Sequence, residues 1–277
     1  MFKRNLARLK LIFVSLLFCW SGEAFAHAPV FMMAPEAPGK GAFDLHTSLS
    51  SGGRGNTRET SADLEFTYGI TRDFVVGFAV PFARRESFEE GEGERAVEGI
   101  DNPDMFLQWR FWDRDSLGAK HSSAVRLAGT APAGVSDVAR NEPTYMAGWA
   151  FGMESLKWYY TLDTRYQYNV EDDKGRPGDR FFADIAIGLR PHLGGLEDTD
   201  IVYFMELNYM NEKNSEFDGA NNPDSGGEYM FISPEVLISP SNRLMIRTGA
   251  QIPVYQDING IQGPKDITYK LVVELRY

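Results

Sequence analysis

Charged and amide side chains recur at every second position along several segments of this 277-residue chain. Alternate residues of an extended strand point to opposite faces, so each segment would have one polar and one apolar face. Acids and bases that share an enclosed face either pair and hold the structure together, or set the charge that a passing solute meets. Both roles stay open, and they are compatible. The candidate residues are Asp63, Glu65, Gln108, Arg110, Arg126, Asp163, Arg165, Asp184, Arg190, Glu206, Arg247, Lys270, Glu274 and Arg276.

Two histidines lie close in sequence to a serine: His46 precedes Ser48, and His121 precedes Ser122. A hydrolase would need a serine and a histidine within hydrogen-bond reach. Such spacing is common by chance, and the chain has no Gly-x-Ser-x-Gly turn of the kind that exposes a nucleophile. We therefore expect that the protein is not an enzyme, with a barrel enzyme acting on lipid as an alternative.

His27, Met32 and Met33 place one imidazole and two thioethers close together in the sequence. Nitrogen and thioether ligands suit copper. A flexible leader is the favoured interpretation of this segment, so no cofactor and no metal are predicted and copper is kept as a minor alternative.

The last eleven residues show the kind of element that would position the polar side chains. Apolar residues occupy every second position from Ile267 to Tyr277, and only Val272 breaks the alternation. A strand of about ten residues, apolar on one face and charged on the other, is typical of an outer-membrane β-barrel when it ends in an aromatic residue. Leu271 and Val273 are therefore expected to point outward.

The same unit repeats along the chain and predicts about twelve strands, an even number as in single-chain bacterial barrels. Longer polar connections alternate with shorter ones, such as the turns at Thr71–Asp73 and Ser239–Arg243. The predicted fold is all-β, an antiparallel transmembrane β-barrel with both termini in the periplasm, and a soluble β-sandwich is the alternative. Three connections are predicted as irregular: the loops Ser50–Glu59 and Ala83–Gly99 and the turn Asp113–Ser122.

The amino terminus predicts a signal peptide over residues 1–26. A basic start is followed by a short apolar run, Leu11–Trp20, and by the cleavage site Ala24-Phe25-Ala26. Cleavage there would remove Cys19, the chain's one cysteine, so the mature protein would need no disulfide. Residues 27–41 are rich in proline and are predicted as a periplasmic leader or a plug-like segment, and residues 42–277 as the barrel.

The charge of the chain restricts its partners. The formal net charge is −11, and removal of residues 1–26, with four bases and Glu23, leaves −14. Such a charge argues against nucleic acid as a partner. The expected partners are outer-membrane lipids, a small-molecule solute, and the outer-membrane assembly machinery through Tyr277.

Five aromatic residues fall on the polar phase of the alternation. They could line an apolar track for hydrophobic or aromatic solutes, or pack locally against a plug. They are Phe106, Trp112, Tyr159, Phe182 and Phe204.

Short motifs resemble the outer-membrane family described as the MetA pathway of phenol degradation, or simply as transporters. The resemblance begins with the turn Tyr68-Gly69-Ile70-Thr71, continues through Val76-Gly77 and Val80-Pro81-Phe82, and includes Pro132-Ala133-Gly134. The stretch Gly99-Ile100-Asp101-Asn102-Pro103-Asp104 departs from the plain Gly-Asp of that family. The resemblance covers about residues 41–277 and implies a barrel that moves hydrophobic or aromatic compounds. It transfers no catalytic or binding residues.

These observations predict a channel or transporter for small solutes in the outer membrane of a Gram-negative bacterium. Two alternatives of other classes are the lipid-acting barrel enzyme and a structural or adhesion barrel without transport.

Overall fold

The computed structural model describes residues 27–89, 93–134, 138–139, 143–171, 175–193 and 198–277. The predicted signal peptide, residues 1–26, lies outside the described residues. In the part of the chain that is described, no helix is long and apolar enough to cross a membrane.

The described chain is built from antiparallel strands. They are β1 (Phe43–Arg54), β2 (Thr57–Gly69), β3 (Phe74–Glu89), β4 (Gly93–Ile100), β5 (Asp104–Ser116), β6 (Ala119–Thr130), β7 (Thr144–Ser155), β8 (Trp158–Asn169), β9 (Arg180–Leu189), β10 (Asp200–Glu212), β11 (Glu216–Phe217), β12 (Ala220–Asn221), β13 (Gly227–Ser241), β14 (Leu244–Ile258) and β15 (Thr268–Arg276).

Neighbouring strands pair around a closed ring. The sheet follows the order β2-β1-β15-β14-β13-β10-β9-β8-β7-β6-β5-β3-β4, and the pairing of β2 with β3 closes it. Strands β4 and β5 share one side of β3, so the barrel has twelve strands, as predicted. Closure leaves the barrel without the open edges that a flat sheet would expose to lipid.

The barrel has two distinct ends. Phe43 and Tyr277 lie side by side at the end that we call the terminus end, joined by two backbone hydrogen bonds of 2.9 Å and by stacked rings. The turns after β2, β7, β9 and β13 lie at this same end. The longer connections, such as those after β6 and β10, lie at the opposite end.

The three connections predicted to be irregular are largely strand, which corrects the sequence interpretation. Ser50–Glu59 is the tip of the β1–β2 hairpin, with Gly55 in a left-handed conformation at φ 56°. Ala83–Gly99 contains the paired ends of β3 and β4, and Asp113–Ser122 contains the ends of β5 and β6. Polar residues suggested loops because these hairpin ends bury no apolar face.

Alternation of outward apolar and inward polar residues is clearest in β2. Leu64 and Phe66 are 51% and 43% exposed on the outer surface, whereas Asp63 and Glu65 face the interior. In β15, Leu271 is exposed outward and Val273 shares its face, while Val272 is buried on the inner face. An apolar outer surface around a polar interior is what a barrel needs in lipid.

A β-bulge in β5 changes the face of one predicted residue. Pairing with β6 shifts between Arg110 and Trp112, so Phe111 and Trp112 are both exposed. Trp112 pairs with Ser123, whose hydroxyl accepts a hydrogen bond from the indole of Trp149 on the outer surface. The prediction that Trp112 faces inward was therefore wrong, because one extra residue reverses the alternation beyond it.

Candidate functional site

Residues 27–41 lie inside the barrel, and we call them the plug segment. Its start is held at the terminus end, where the His27 ring contacts Glu154 and Asp200, each at 2.9 Å. Arg190 bonds to Asp200 and lies over the Tyr159 ring, which packs against His27. Of the two interpretations of this segment, the plug-like one describes its place, because a segment outside the barrel could not make these contacts.

The backbone amides of the plug segment find carboxylates on the barrel wall. Val30 N–H lies 3.0 Å from both Glu206 and Glu235, and Phe31 N–H donates to Glu206 at 3.1 Å. Met33 N–H donates to Asp163. A proline-rich segment does not form the ladder that would satisfy these donors, so buried side chains must accept their hydrogen bonds.

The plug segment then returns to the terminus end to enter β1. The Gln108 amide donates to the Glu36 carbonyl at 2.6 Å, and Gly41 N–H donates to the Gly69 carbonyl at 2.8 Å. A Cβ atom at Gly69 would overlap the Gly39 carbonyl oxygen, so a glycine is needed at this crossing. The segment is thus fixed to the wall at its start, its middle and its end.

Apolar packing completes the anchoring. Met32 is buried in a cluster on the inner wall, with Tyr159, Phe204, Leu237 and Met245 among its members. Tyr159 and Phe204 were predicted on the inward phase, and they contact the plug segment and one another instead of lining an open track.

Two cavities flank the plug segment. The inner cavity, about 310 Å³, lies between residues 28–38 and the wall formed by β1, β2, β3, β5, β6, β14 and β15. The outer cavity, about 280 Å³, lies beyond Phe31 toward the opposite end. Lys270 lines both. The lumen is therefore partly filled, with space left on each side of the segment.

Part of the charge in the lumen is paired. Arg165 bonds to Asp163 at 3.1 Å and to Asp184. Arg247 bonds to Glu274 at 3.0 Å, and Arg276 joins Glu274 to Asp44. Arg247 also donates to the Ala28 carbonyl at 3.2 Å. Buried charges are retained only when such partners satisfy them, so these groups hold the wall and the plug segment in place.

Other charged groups on the inner cavity have no arginine, lysine or carboxylate partner among the described residues, although the Glu65 carboxylate lies 3.7 Å from the His46 ring. Arg126 donates to the neutral Gln108 at 2.9 Å and lies 4.3 Å over the Phe106 ring. Across the described residues, neither Arg126 nor Lys270 has a carboxylate within ion-pair distance. The Asp63 carboxylate accepts a hydrogen bond from Ser48 at 2.6 Å. In the same part of the chain, Asp63, Glu65 and Asp104 have no arginine or lysine partner.

The structure brings most of the predicted polar residues to the lumen, in separate groups. Eight of them line the inner cavity, two line only the outer cavity, and three, Asp163, Arg190 and Glu206, anchor the plug segment. Arg110 instead turns toward the β2–β3 turn, where it bonds to Asp73 at 3.1 Å and to the Arg72 carbonyl. The inner-cavity residues are Asp63, Glu65, Gln108, Arg126, Arg247, Lys270, Glu274 and Arg276, and those of the outer cavity include Arg165, Asp184 and again Lys270.

Glu235 is one of the anchors of the plug segment that sequence reasoning missed. It follows Pro234, which interrupts the pattern of β13, and so it was not assigned to a face. Its position out of phase with Ile232, Val236 and Ile238 was the signal that would have placed it inward.

The residues considered for catalysis and copper have other contacts. Ser48 donates to Asp63, and His121 has its Nε2 atom 3.4 Å from Ser116. Both ring nitrogens of His27 contact carboxylates. Asp44, His46 and Glu274 could bring three ligand atoms within 4.8 Å, but Arg276 already binds both carboxylates.

Two groups of the plug segment have shifted pKa values. Burial lowers the pKa of His27, but its hydrogen bonds with Asp200 and Glu154 outweigh burial and leave the pKa raised above 6.5. Burial raises the pKa of Glu36 to about 7, and the nearby Glu154 carboxylate adds to this shift. Both groups therefore favour their protonated forms while the segment is docked.

Comparison with known proteins agrees with this architecture. No protein-family model matches the chain, and no curated protein matches its sequence. The fold is similar to the crystal structure of an outer membrane channel from Pseudomonas putida F1, with a TM-score of 0.69 at 14% identity over 90% of this chain and 100% of that one.

Two further solved structures show a weaker likeness. The NanC porin has a TM-score of 0.49 at 8% identity, covering 83% of this chain and 98% of that one. The CymD monoaromatic hydrocarbon channel has 0.45 at 10% identity, covering 86% and 89%. The twelve-stranded fold and its apolar outer surface make this chain a β-barrel of the Gram-negative outer membrane.

Proposed function

We propose that this barrel is a channel that passes small solutes across the outer membrane, with the plug segment narrowing the path. The observation that carries this proposal is the pair of cavities on either side of the plug segment, both lined by Lys270. A barrel that served only adhesion or structure would gain nothing from charged cavities left inside it. We place both termini in the periplasm, the side where the shorter turns of outer-membrane barrels lie.

The finer proposal is that apolar or aromatic solutes are among those that pass. Phe31, Phe182, Met210 and Phe231 line the outer cavity and give it an apolar wall. Polar groups such as Arg165 and Lys270 share that cavity, so a solute would meet both kinds of surface. This arrangement, together with the motif resemblance to the phenol-degradation family, supports the finer proposal.

Single-channel recording in planar bilayers tests the channel. The full chain should conduct in discrete steps. The double variant Glu206→Gln, Glu235→Gln should raise the open-channel conductance or its open time, because an amide accepts a hydrogen bond from Val30 N–H less strongly than a carboxylate. Glu228→Gln, on the exposed face of β13, is the matched control and should leave conductance unchanged.

The alternatives predict other outcomes. A structural or adhesion barrel would give no current at any voltage. A lipid-acting enzyme would hydrolyse outer-membrane lipid, and His46→Ala or His121→Ala would abolish that hydrolysis; absence of hydrolysis in the unaltered protein would exclude this alternative.

A further inference from the structure

The inner cavity carries charges of both signs that the barrel leaves unmatched. Its cationic groups without a carboxylate partner among the described residues are Arg126 and Lys270, and its acids without an arginine or lysine partner are Asp63, Glu65 and Asp104. Other arginines of the lumen, Arg165, Arg247 and Arg276, are each bound to carboxylates. The inner cavity therefore has charged groups of both signs that are not used in such ion pairs.

The order of the strands places Lys270 of β15 on one flank of the acids and Arg126 of β6 on the other. Lys270 pairs with Ser50 across β15 and β1, and Asp63 pairs with Ser48 across β1 and β2. Two strand spacings, roughly 10 Å, thus separate their backbones. Glu65 and Asp104 both pair with Ala79 of β3, on its two sides, so the acids extend from β2 to β5. A solute that reaches both groups must span several ångströms.

The wall between the charged groups is lined by small side chains. Ala79 and Thr67 line the cavity between the acids and the plug segment. Phe106 lies across Gly77, where a Cβ atom would overlap the ring, and Arg126 lies over that ring. The cavity therefore has Lys270 on one flank of the acids, Arg126 on the other, and open space beside the plug segment.

Resting on the proposed channel function, we propose that the inner cavity binds a zwitterionic solute. Its ammonium group would lie at Asp63 and Glu65 of β2, and its carboxylate at Lys270 of β15. Charges in a lumen are costly unless water or a partner of opposite charge satisfies them. One molecule carrying both charges satisfies both sides of the cavity, which a simple cation or anion cannot do.

Three solutes of matched length test this inference: 5-aminopentanoate, pentanoate and pentylamine. Each is added to the full-length protein in a planar bilayer, and the interruptions of the single-channel current are measured. The zwitterion should bind about tenfold more tightly than either singly charged solute, as one additional charged hydrogen bond would give. Pentylamine binding as tightly as 5-aminopentanoate would overturn the inference, since the cavity would then be a cation site.

Single substitutions test which residue binds each charged end of the zwitterion. Lys270→Gln should weaken 5-aminopentanoate binding to the level of pentylamine, and Glu65→Gln should weaken it to the level of pentanoate. Arg58→Gln, at an exposed position in the β1–β2 hairpin, is the matched control and should not change the binding of any of the three solutes.

The outcomes separate this inference from the channel proposal. Discrete channel openings in each variant show that the barrel has folded. Current without preference among the three solutes, or variants that weaken all three equally, would overturn the zwitterion site alone. Absence of any current would instead overturn the proposed channel, and the inference with it.

Discussion

The charged residues of this lumen are of two kinds: those that form an ion pair, and those that have no partner of opposite charge among the described residues. Arg247 bonds to one oxygen of Glu274 and to a carbonyl of the plug segment, so its loss would leave that buried carboxylate oxygen and a backbone oxygen without this donor. Lys270 lies on the same face of the neighbouring strand but has no carboxylate partner among the described residues. A basic side chain can therefore hold the fold together at one position and face an open cavity at the next.

His27 and Glu36 should make docking of the plug segment depend on pH. The docked pKa of His27 is above 6.5, so its contribution is complete below 6.5 and is lost as pH rises through the docked value. The pKa of Glu36 is about 7 when the plug segment is docked, compared with an ordinary value of 4.5. Its contribution to the stability of docking is therefore lost as pH rises from 4.5 to about 7. Both effects weaken docking as pH rises.

We therefore expect more frequent or longer channel openings at about pH 8 than at about pH 5. His27→Gln should remove the part of this pH dependence that lies above pH 6.5. Glu36→Gln should remove the part that lies below about pH 7. His192→Gln, at a described position outside the plug segment, is the control. Openings that become rarer with rising pH would contradict the prediction.

At the level of elements, a single extra residue or a single glycine decides what the lumen contains. The bulge at Phe111 sends Trp112 to the outer surface, where it packs near Phe151 and leaves the interior. In β3, Gly77 makes room for the Phe106 ring of β5. Strand pairing alone would not reveal either effect, since both depend on which face a side chain occupies.

Gly77→Ala should narrow the inner cavity. A Cβ atom at this position would overlap the end of the Phe106 ring, which can move only toward the cavity or the plug segment. Single-channel conductance should fall, and Phe106→Ala in the same chain should restore it. Equal conductance in Gly77→Ala and the unaltered protein would show that the ring moves elsewhere.

At the scale of the whole molecule, the barrel is held by lipid outside and by polar contacts inside. Leu64, Leu127 and Met205 are more than half exposed on its outer surface, which only a hydrocarbon environment can cover. Inside, carboxylates and arginines from both halves of the ring meet at the plug segment, as at Glu154, Asp163 and Glu235. The plug segment thus links strands that do not pair with one another.

A charge on the outer surface should destabilise the barrel in proportion to its depth. Leu64→Arg, in the middle of the membrane-spanning part of β2, should lower the unfolding free energy by about 2–4 kcal/mol in lipid vesicles. Ile261→Arg, in the exposed connection before β15, should change it by no more than about 0.5 kcal/mol. Reversible urea unfolding of both variants measures the difference. Equal effects would mean that Leu64 does not face lipid.

The alternation of residue types determined the barrel itself: about twelve strands, an antiparallel order, and the faces of residues such as Asp63, Glu65 and Leu271. These properties follow from local sequence, because the two-residue period of a strand fixes side-chain direction without knowledge of the partner strand. Prediction from this alternation failed at three places where the alternation is interrupted: at the Phe111 bulge, beside Pro234, and in the polar hairpin ends.

Only the tertiary structure decided which charges pair, that residues 27–41 fill part of the lumen, and that Arg126 and Lys270 face a cavity with unmatched acids. Alternation places a side chain inside the barrel, but its partner depends on closure and on the stagger between strands far apart in sequence. The contacts of His27 with Glu154 and Asp200 join residues more than 120 positions apart. No local pattern contains that information.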